Sequence, residues 1–438
     1  MPKVKDQVTA FYQGKKAVRF DFSGEAVSSN GGFLLLSKIE RKHRIIRDFS
    51  SLLPDLRDPS RTVHSYEKQL RQRIFSMACG YEDCNDAQYL KEDPVLQVAI
   101  GGDLCSQPTL CRMENTINRA TVWQLCHWWA DRYVSNLAPG RKEIVIDIDS
   151  TDDPTHGGQQ LSMFHAYTWQ FQYDQLFLID GATGEVILPV LRPGNSHTAR
   201  WAVPILSVVI DKIRSRFPEM RIVVRADSGY SSAAFYRLVA EKKLFFCLGL
   251  AANAVLKREV EDLKRQITEK YVKRQQKHQH ITEAFSYRAQ TWDTAYPTYA
   301  KVESTGKGLN TRFFISNLEH LSGEEIYFDV YVQRGETCEN RIKEIKNMCF
   351  SDRLSCHGFW ANFFRLFLSA IVYELFRRIK ELIGKSKEEE AKRWQVETLR
   401  LFLLKVGASV TKRVRSVRIR YSSAFARQHL FRELMGMC

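Results

Sequence analysis

The sequence predicts a multidomain α/β protein: a mixed sheet covered by helices, preceded by a helical region and followed by a basic tail. Three observations carry this. The chain has 438 residues, more than a single domain usually holds. Near residue 139 its pattern changes from helical periodicity to strands alternating with helices. Its formal charge of +15 is uneven, since residues 351–438 hold 18 Lys and Arg against 8 Asp and Glu and so contribute +10.

Residues 1–138 read mainly as helix. After a basic start (Lys3, Lys5, Lys15, Lys16, Arg19), the Ser-Ser-Asn-Gly-Gly turn at 28–32 precedes the apolar run 33–39. A helix over 66–79 stops at Gly80, Asn85 caps a short helix after it, and Ser106 with Pro108 opens another. That last helix is expected to carry Arg112 and Arg119 about two turns apart, facing one phosphate strand. Residues 65–119 therefore read as a helix-turn-helix or as a plain helical bundle.

The next stretch gives a strand over 143–150, then a hairpin of 175–180 and 186–192 about Gly-Ala-Thr-Gly. An amphipathic helix over 198–217 follows, closed by Pro218. Then come a strand over 222–226 ending in Asp-Ser-Gly-Tyr, a helix over 232–242 and a strand over 245–250. This β-β-β-α-β-α-β order suits a mixed sheet covered by helices. Residues 252–328 interrupt it with a charged helical stretch (255–276) and short Thr-, Tyr- and Val-containing strands (285–315), an insertion with β character. Helices over 338–348 and 359–382 follow, then a charged, exposed linker at 384–392. The expected divisions are 1–138, 139–350 with its insertion 252–328, and 351–438. In the tail, Lys412, Arg413, Arg415, Arg418 and Arg420 crowd the β-branched run 410–419. That run is either a strand laid along a phosphate backbone or a charged edge strand that resists aggregation.

Composition narrows the function classes. A sequence pI of about 9.3 favours a polyanionic partner over the role of a generic metabolic enzyme. The most apolar run, 363–376, is short and contains Arg365 and Glu374, so no bilayer-spanning segment and no membrane partner are expected. The charged N-terminus lacks the apolar stretch of a signal peptide. Ten cysteines without a CxxC pair or zinc spacing read as thiols of a reducing cytoplasm.

The chemistry centres on acidic residues. Asp147 and Asp149 share one face of the first core strand, which is costly unless they are paired or bind a cation. Asp149 stands in Asp-Ser-Thr, Asp227 ends the later strand in Arg-Ala-Asp-Ser-Gly-Tyr, and Glu339 lies in GETCENRIKEIK with Arg334, Lys343 and Lys346 nearby. Alone, each is an ordinary turn or surface residue. Together, three carboxylates from separate segments suit two Mg²⁺ ions facing a phosphodiester.

These motifs, with GYEDCND (80–86), SQPTLCRMEN (106–115), DIDSTDDPTHGGQ (147–159), LRPGNSH (191–197), RIVVRADSGY (221–230), ENRIKE (339–344) and FWANFFRLFL (359–368), resemble those of DDE transposases of bacterial insertion sequences, specifically insertion-sequence family 1380. The resemblance implies an RNase H-like mixed sheet core with helices on both faces and a helical N-terminal DNA-binding region. It implies two Mg²⁺ ions, with Mn²⁺ as a substitute, on Asp149, Asp227 and Glu339. Related enzymes carry Tyr-x2-Arg-x3-Glu-x6-Lys, matched here by Tyr331, Arg334, Glu339 and Lys346, with the Tyr, Arg and Lys holding DNA phosphates. One extra residue separates Arg334 from Glu339, which leaves Glu336 as a second candidate. Trp292 in the insertion is a candidate for holding a flipped base, or else a core residue. Asp147 is expected to support the site, and His156 to be structural. Arg112, Arg119, Arg413 and Arg415 are expected to contact DNA. The expected partners are double-stranded DNA, as terminal inverted repeats and as target, and a second copy of the chain in a synaptic complex. The expected location is the bacterial cytoplasm, at the nucleoid. An RNase H-like nuclease without strand transfer and a domesticated, non-catalytic DNA-binding protein are the alternatives.

Overall fold

The computed structural model describes residues 8–274, 278–282 and 284–438, so Lys3, Lys5 and Gln276 lie outside the described residues. It divides the chain into two discontinuous units, Met1–Arg44 with Val63–Leu110 and Arg378–Cys438, and Ile45–Thr62 with Cys111–Arg377, rather than into three consecutive stretches.

In the first unit the sequence closes on itself from both ends. The helix Phe33–His43 buries Phe33, Leu35, Leu36 and Ile39 and packs against Pro94–Ile100, which also meets Tyr66–Ala78. Ser65 caps that last helix, and Cys79 and Gly80, the latter at φ +91°, end it where expected. The chain's other end completes this core. The amides of Gly31 and Gly32 donate to the carbonyls of Val406 and Leu404, and Arg400 Nε donates to the Ala78 carbonyl at 2.8 Å. The basic run expected as one strand folds instead into a hairpin, Ala408–Arg413 with Ser416–Tyr421, because Val414 and Arg415 turn out to solvent. Val27–Ser28 adds a third strand to it. Within the basic start, Val8–Gln13 and Lys16–Phe20 pair as a hairpin about Gly14, whose φ of +62° suits the turn. The cap expected at Asn85 is Asp83, which makes a reciprocal capping box with Asp86.

The second unit is built on one ten-stranded sheet. Its strands are β1 (Glu143–Pro154), β2 (Met163–His165), β3 (Gln170–Asp180), β4 (Val186–Pro193), β5 (Arg221–Ala226), β6 (Phe245–Leu250), β7 (His278–Ile281), β8 (Phe285–Tyr287), β9 (Tyr296–Thr305) and β10 (Gly308–Ser316). They run in the order β7-β9-β10-β6-β5-β1-β3-β2, with β8 also paired to β9 and β4 to β3. β1, β5 and β6 are parallel neighbours, and every other pairing is antiparallel. The mixed sheet expected from the sequence is present. The insertion does not stand apart from it, because β10 pairs with β6 and continues the same sheet.

Three helices follow the expected spans closely: Ala202–Arg216, Ala233–Lys242 capped by Ser232, and Phe359–Gly384. The last has 26 residues, which is long and apolar enough to cross a membrane, but 94% of its apolar window is buried inside the protein. Its charged residues are neutralised there, Arg377 by Glu374 at 2.7 Å and by Glu185 at 3.0 Å. The single helix expected to carry Arg112 and Arg119 is two. Gln107–Asn115 ends first, and Asn118 caps Arg119–Asn136 by accepting from the Thr121 amide.

A continuous helical run over 323–348 lies on the sheet face that bears Asp147 and Asp149. Its first turns are seated by Ile326 and Tyr327 against Val223, Cys247, Tyr299 and Phe314. Ile144, Ile146 and Ile148 point to the opposite face and are fully buried.

Candidate active site

Strand register brings the first two acids together. In the parallel pair, Ile148 lies opposite Ala226, so Asp149, midway along β1, and Asp227, just past the end of β5, lie side by side where the parallel pairing stops. Asp149 is mostly buried, and desolvation pushes its carboxyl up to about 6; Arg334 opposes the shift, while the neighbouring Asp227 adds to it. Asp227 Oδ1 accepts from the Gly229 amide at 2.8 Å, which closes the short turn Ser228–Tyr230 and fixes the carboxylate at the strand end.

The third acid comes from the helical run, and the local geometry accounts for the extra residue before it. The run contains three π-helical turns, Ile326–Tyr331, Gly335–Glu339 and Glu344–Met348. A π turn accommodates one residue more than an α turn. Arg334 and Glu339, five apart, therefore come onto one face, where Arg334 Nη2 donates to Glu339 Oε1 at 3.3 Å. Its other arm, Nη1, donates to Asp149 Oδ2 at 3.0 Å. One guanidinium thus links the two carboxylates. The side chain of Glu336 lies outside the described residues.

The remaining members of the motif surround these. A Cβ at Gly249 would lie 2.8 Å from the Tyr331 hydroxyl and 3.0 Å from the Ser228 amide, so only glycine leaves the tyrosine its place next to the Asp227 turn. Lys346 Nζ donates to the Asp152 carbonyl at 2.5 Å and lies 3.2 Å from Thr151 Oγ1, a few residues along β1 from Asp149.

Asp147 is a structural partner rather than a donor to this cluster. It is fully buried and receives both Nε and Nη2 of Arg225, at 2.6 and 2.7 Å. Arg225 in turn donates Nη1 to the Val330 carbonyl, which ties β5 to the helical run. The sequence held a signal for this pair: Arg225 is a charged residue inside an apolar strand, beside Asp227.

Asp149, Asp227, Tyr331, Arg334, Glu339 and Lys346 thus gather around the second half of β1 and the end of β5. The other sequence candidates lie elsewhere. Arg112 and Arg119 are exposed, on separate helices of this unit. Arg413 and Arg415 are exposed on the hairpin of the first unit. Trp292 is 6% exposed, packed 4.3 Å from Tyr236 and 5.5 Å from Tyr287. It fills the core in this arrangement and presents no face to a base. His156 lines a polar pocket of about 300 Å³ with Arg353 and His357.

The donor set of Asp149, Asp227 and Glu339 is all carboxylate oxygen, the chemistry that Mg²⁺ and Mn²⁺ prefer. Among the described residues no three His, Cys, Asp or Glu side chains converge closely enough to hold a metal ion. The Arg334 guanidinium instead supplies the positive charge between Asp149 and Glu339.

Among solved structures, the chain is similar to a piggyBac transposase in a synaptic complex with hairpin DNA, at 13% identity and a TM-score of 0.43, over 87% of this chain and 83% of that one. No curated protein sequence matches it. The family model "Transposase DDE domain group 1" matches residues 12–437, nearly the whole length. The chain belongs to this family of DDE transposases.

Proposed function

We propose that the chain is the transposase of a bacterial insertion sequence of family 1380, acting in the cytoplasm on the terminal inverted repeats of its own element. It cleaves the element's ends and joins their 3′-hydroxyls to target DNA, working as a homodimer that holds two ends together. The observation that supports this reading is the placement of Asp149 and Asp227 side by side where the parallel pairing of β1 and β5 ends, with Glu339 linked to Asp149 through Arg334.

In this reading Asp149, Asp227 and Glu339 hold two Mg²⁺ ions, for which Mn²⁺ substitutes. Held by these three carboxylates, the ions would supply activation of the attacking hydroxyl and charge neutralisation at the leaving oxygen. The protein's own residues do the positioning. Arg334 donates a planar pair of N–H groups that fits a phosphate as well as a carboxylate. A DNA phosphate can therefore take up the arm that now holds Glu339 and free that carboxylate. Tyr331 and Lys346 flank the same stretch of backbone, and the Asp147–Arg225 pair keeps β1, β5 and the helical run in register. Arg112, Arg119, Arg413 and Arg415 supply phosphate contacts away from the centre.

The test uses duplexes carrying the element's ends, with Mg²⁺. Asp149→Asn, Asp227→Asn and Glu339→Gln should each reduce end cleavage and strand transfer on the order of 10³-fold while leaving DNA binding intact. Strand transfer surviving all three changes would show the site to be wrong. Cleavage without any joining would favour a nuclease.

A further inference from the structure

The excursion between β1 and β3 takes no part in the site described above, yet it carries Tyr167 and Trp169, the two most exposed aromatic residues among those described in the second unit. β2 and the start of β3 form a short hairpin at the sheet edge. On it Phe164, Tyr167, Trp169 and Phe171 are exposed by 43, 90, 81 and 59%. Phe164 meets both Trp169 and Phe171 edge to face, with centroids 5.7 Å apart in each case, an arrangement that leaves ring faces open.

The hairpin is built to present these rings. Trp169 adopts φ +54°, a left-handed conformation that a bulky residue takes at a cost and that accompanies function more often than chance. Below it, Gln170 donates to Asp152 Oδ2 at 2.9 Å, and Thr168 donates to Gln172 Oε1 at 2.7 Å. A Cβ at Gly194 would lie 1.8 Å from the Gln172 carbonyl, so that loop also presses against the hairpin's base.

Charge indicates what the rings receive. No Asp or Glu occurs from Thr155 to Tyr173. At the root of the same excursion the pocket of about 300 Å³ is lined by His156, Arg353 and His357, with Asp352 as the one acidic residue in its wall. The register also gives the reach. Phe177 pairs with Asp149, and Phe171 lies six residues back along β3, so the rings begin about 20 Å from the candidate centre.

We propose that this excursion binds an unpaired stretch of DNA strand running off the active site, with bases stacked on Trp169 and Tyr167 and a phosphate in the His156–Arg353–His357 pocket. The inference rests on the transposase reading and adds a single-strand subsite to it. Aromatic stacking suits unpaired bases of any sequence, since every base has a π face.

Binding of the full chain would be measured by fluorescence anisotropy on a blunt end duplex and on the same duplex with a six-nucleotide unpaired 3′ or 5′ extension. The wild-type chain should prefer one extended duplex. Trp169→Ala should reduce that preference about fivefold or more and leave blunt-duplex binding unchanged, while Trp169→Phe keeps most of it. Equal affinity of Trp169→Ala and wild type for the extended duplex would overturn the subsite while leaving the transposase reading intact. So would a loss of self-association in Trp169→Ala by light scattering, which would make a second copy the occupant. Failure of the wild-type chain to bind either duplex would overturn both.

Discussion

Asp153 is the least comfortable side chain on β1. It is 1% exposed and lies beside Gln175, whose amide donates to the Ser351 carbonyl at 2.6 Å. Burial pushes its carboxyl up to about 7. Because the folded value lies above the unfolded one, ionisation at 153 opposes folding. Its contribution is absent below pH 4 and grows as pH rises through 7. Asp153→Asn should therefore leave acid stability unchanged and raise stability on the order of 3 kcal/mol at pH 8, measured by denaturant unfolding at both pH values. Equal effects at both would mean that burial does not hold this carboxyl above its usual value. At this scale the sequence showed some residues and hid others. Asp149, Asp227 and Glu339 were legible because each stands in a recognisable local motif. Arg225 left only the trace of a charge inside an apolar strand and Asp153 left none, since their roles depend on what lies opposite them in the folded sheet.

Among the elements, the helical run over 323–348 shows how a departure in spacing is absorbed. Counted on an ideal α-helix, the extra residue before Glu339 would rotate it by a further ~100°, to about 140° from Arg334. The π turn Gly335–Glu339 takes up that residue and restores the shared face. Deleting Gly335 should return the turn to α geometry, keep Arg334 facing Glu339, and cost less than about 1 kcal/mol. Deleting Ile342, buried in the α-helical stretch Asn340–Lys343, should cost on the order of 3 kcal/mol, because everything after it rotates out of register. Thermal unfolding of both variants tests this, and equal losses would show that the π turn has no slack. Most strands and helices were readable from apolar periodicity. The turns were not: the basic run near 415 folds back as a hairpin, and Asn118 starts a new helix, both through local hydrogen bonding that periodicity does not register.

For the whole molecule, the discontinuous first unit changes what can be cut. Residues 1–138 read mainly as helix, and the core around Phe33–His43 is completed by Leu403, Leu404 and Leu434 from the other end of the chain. A fragment of residues 1–138 should therefore show helical circular dichroism without a cooperative melt, whereas the full chain melts cooperatively. A sharp transition in the fragment would show that the N-terminal region stands alone. No sequence pattern could announce this closure, because the two ends share no motif and meet only by packing.

Six of the ten cysteines, Cys79, Cys84, Cys105, Cys247, Cys338 and Cys349, are buried. Burial holds the Cys79 and Cys247 thiols up to about 12, and Cys338 well above its usual value. Alkylation requires thiolate, so these sulfurs stay silent in the native chain. Cys79 belongs to one unit and Cys247 and Cys338 to the other. The protein thus carries a chemical stopwatch in each half, and the order of mass additions during a labelling pulse would tell which half opens first.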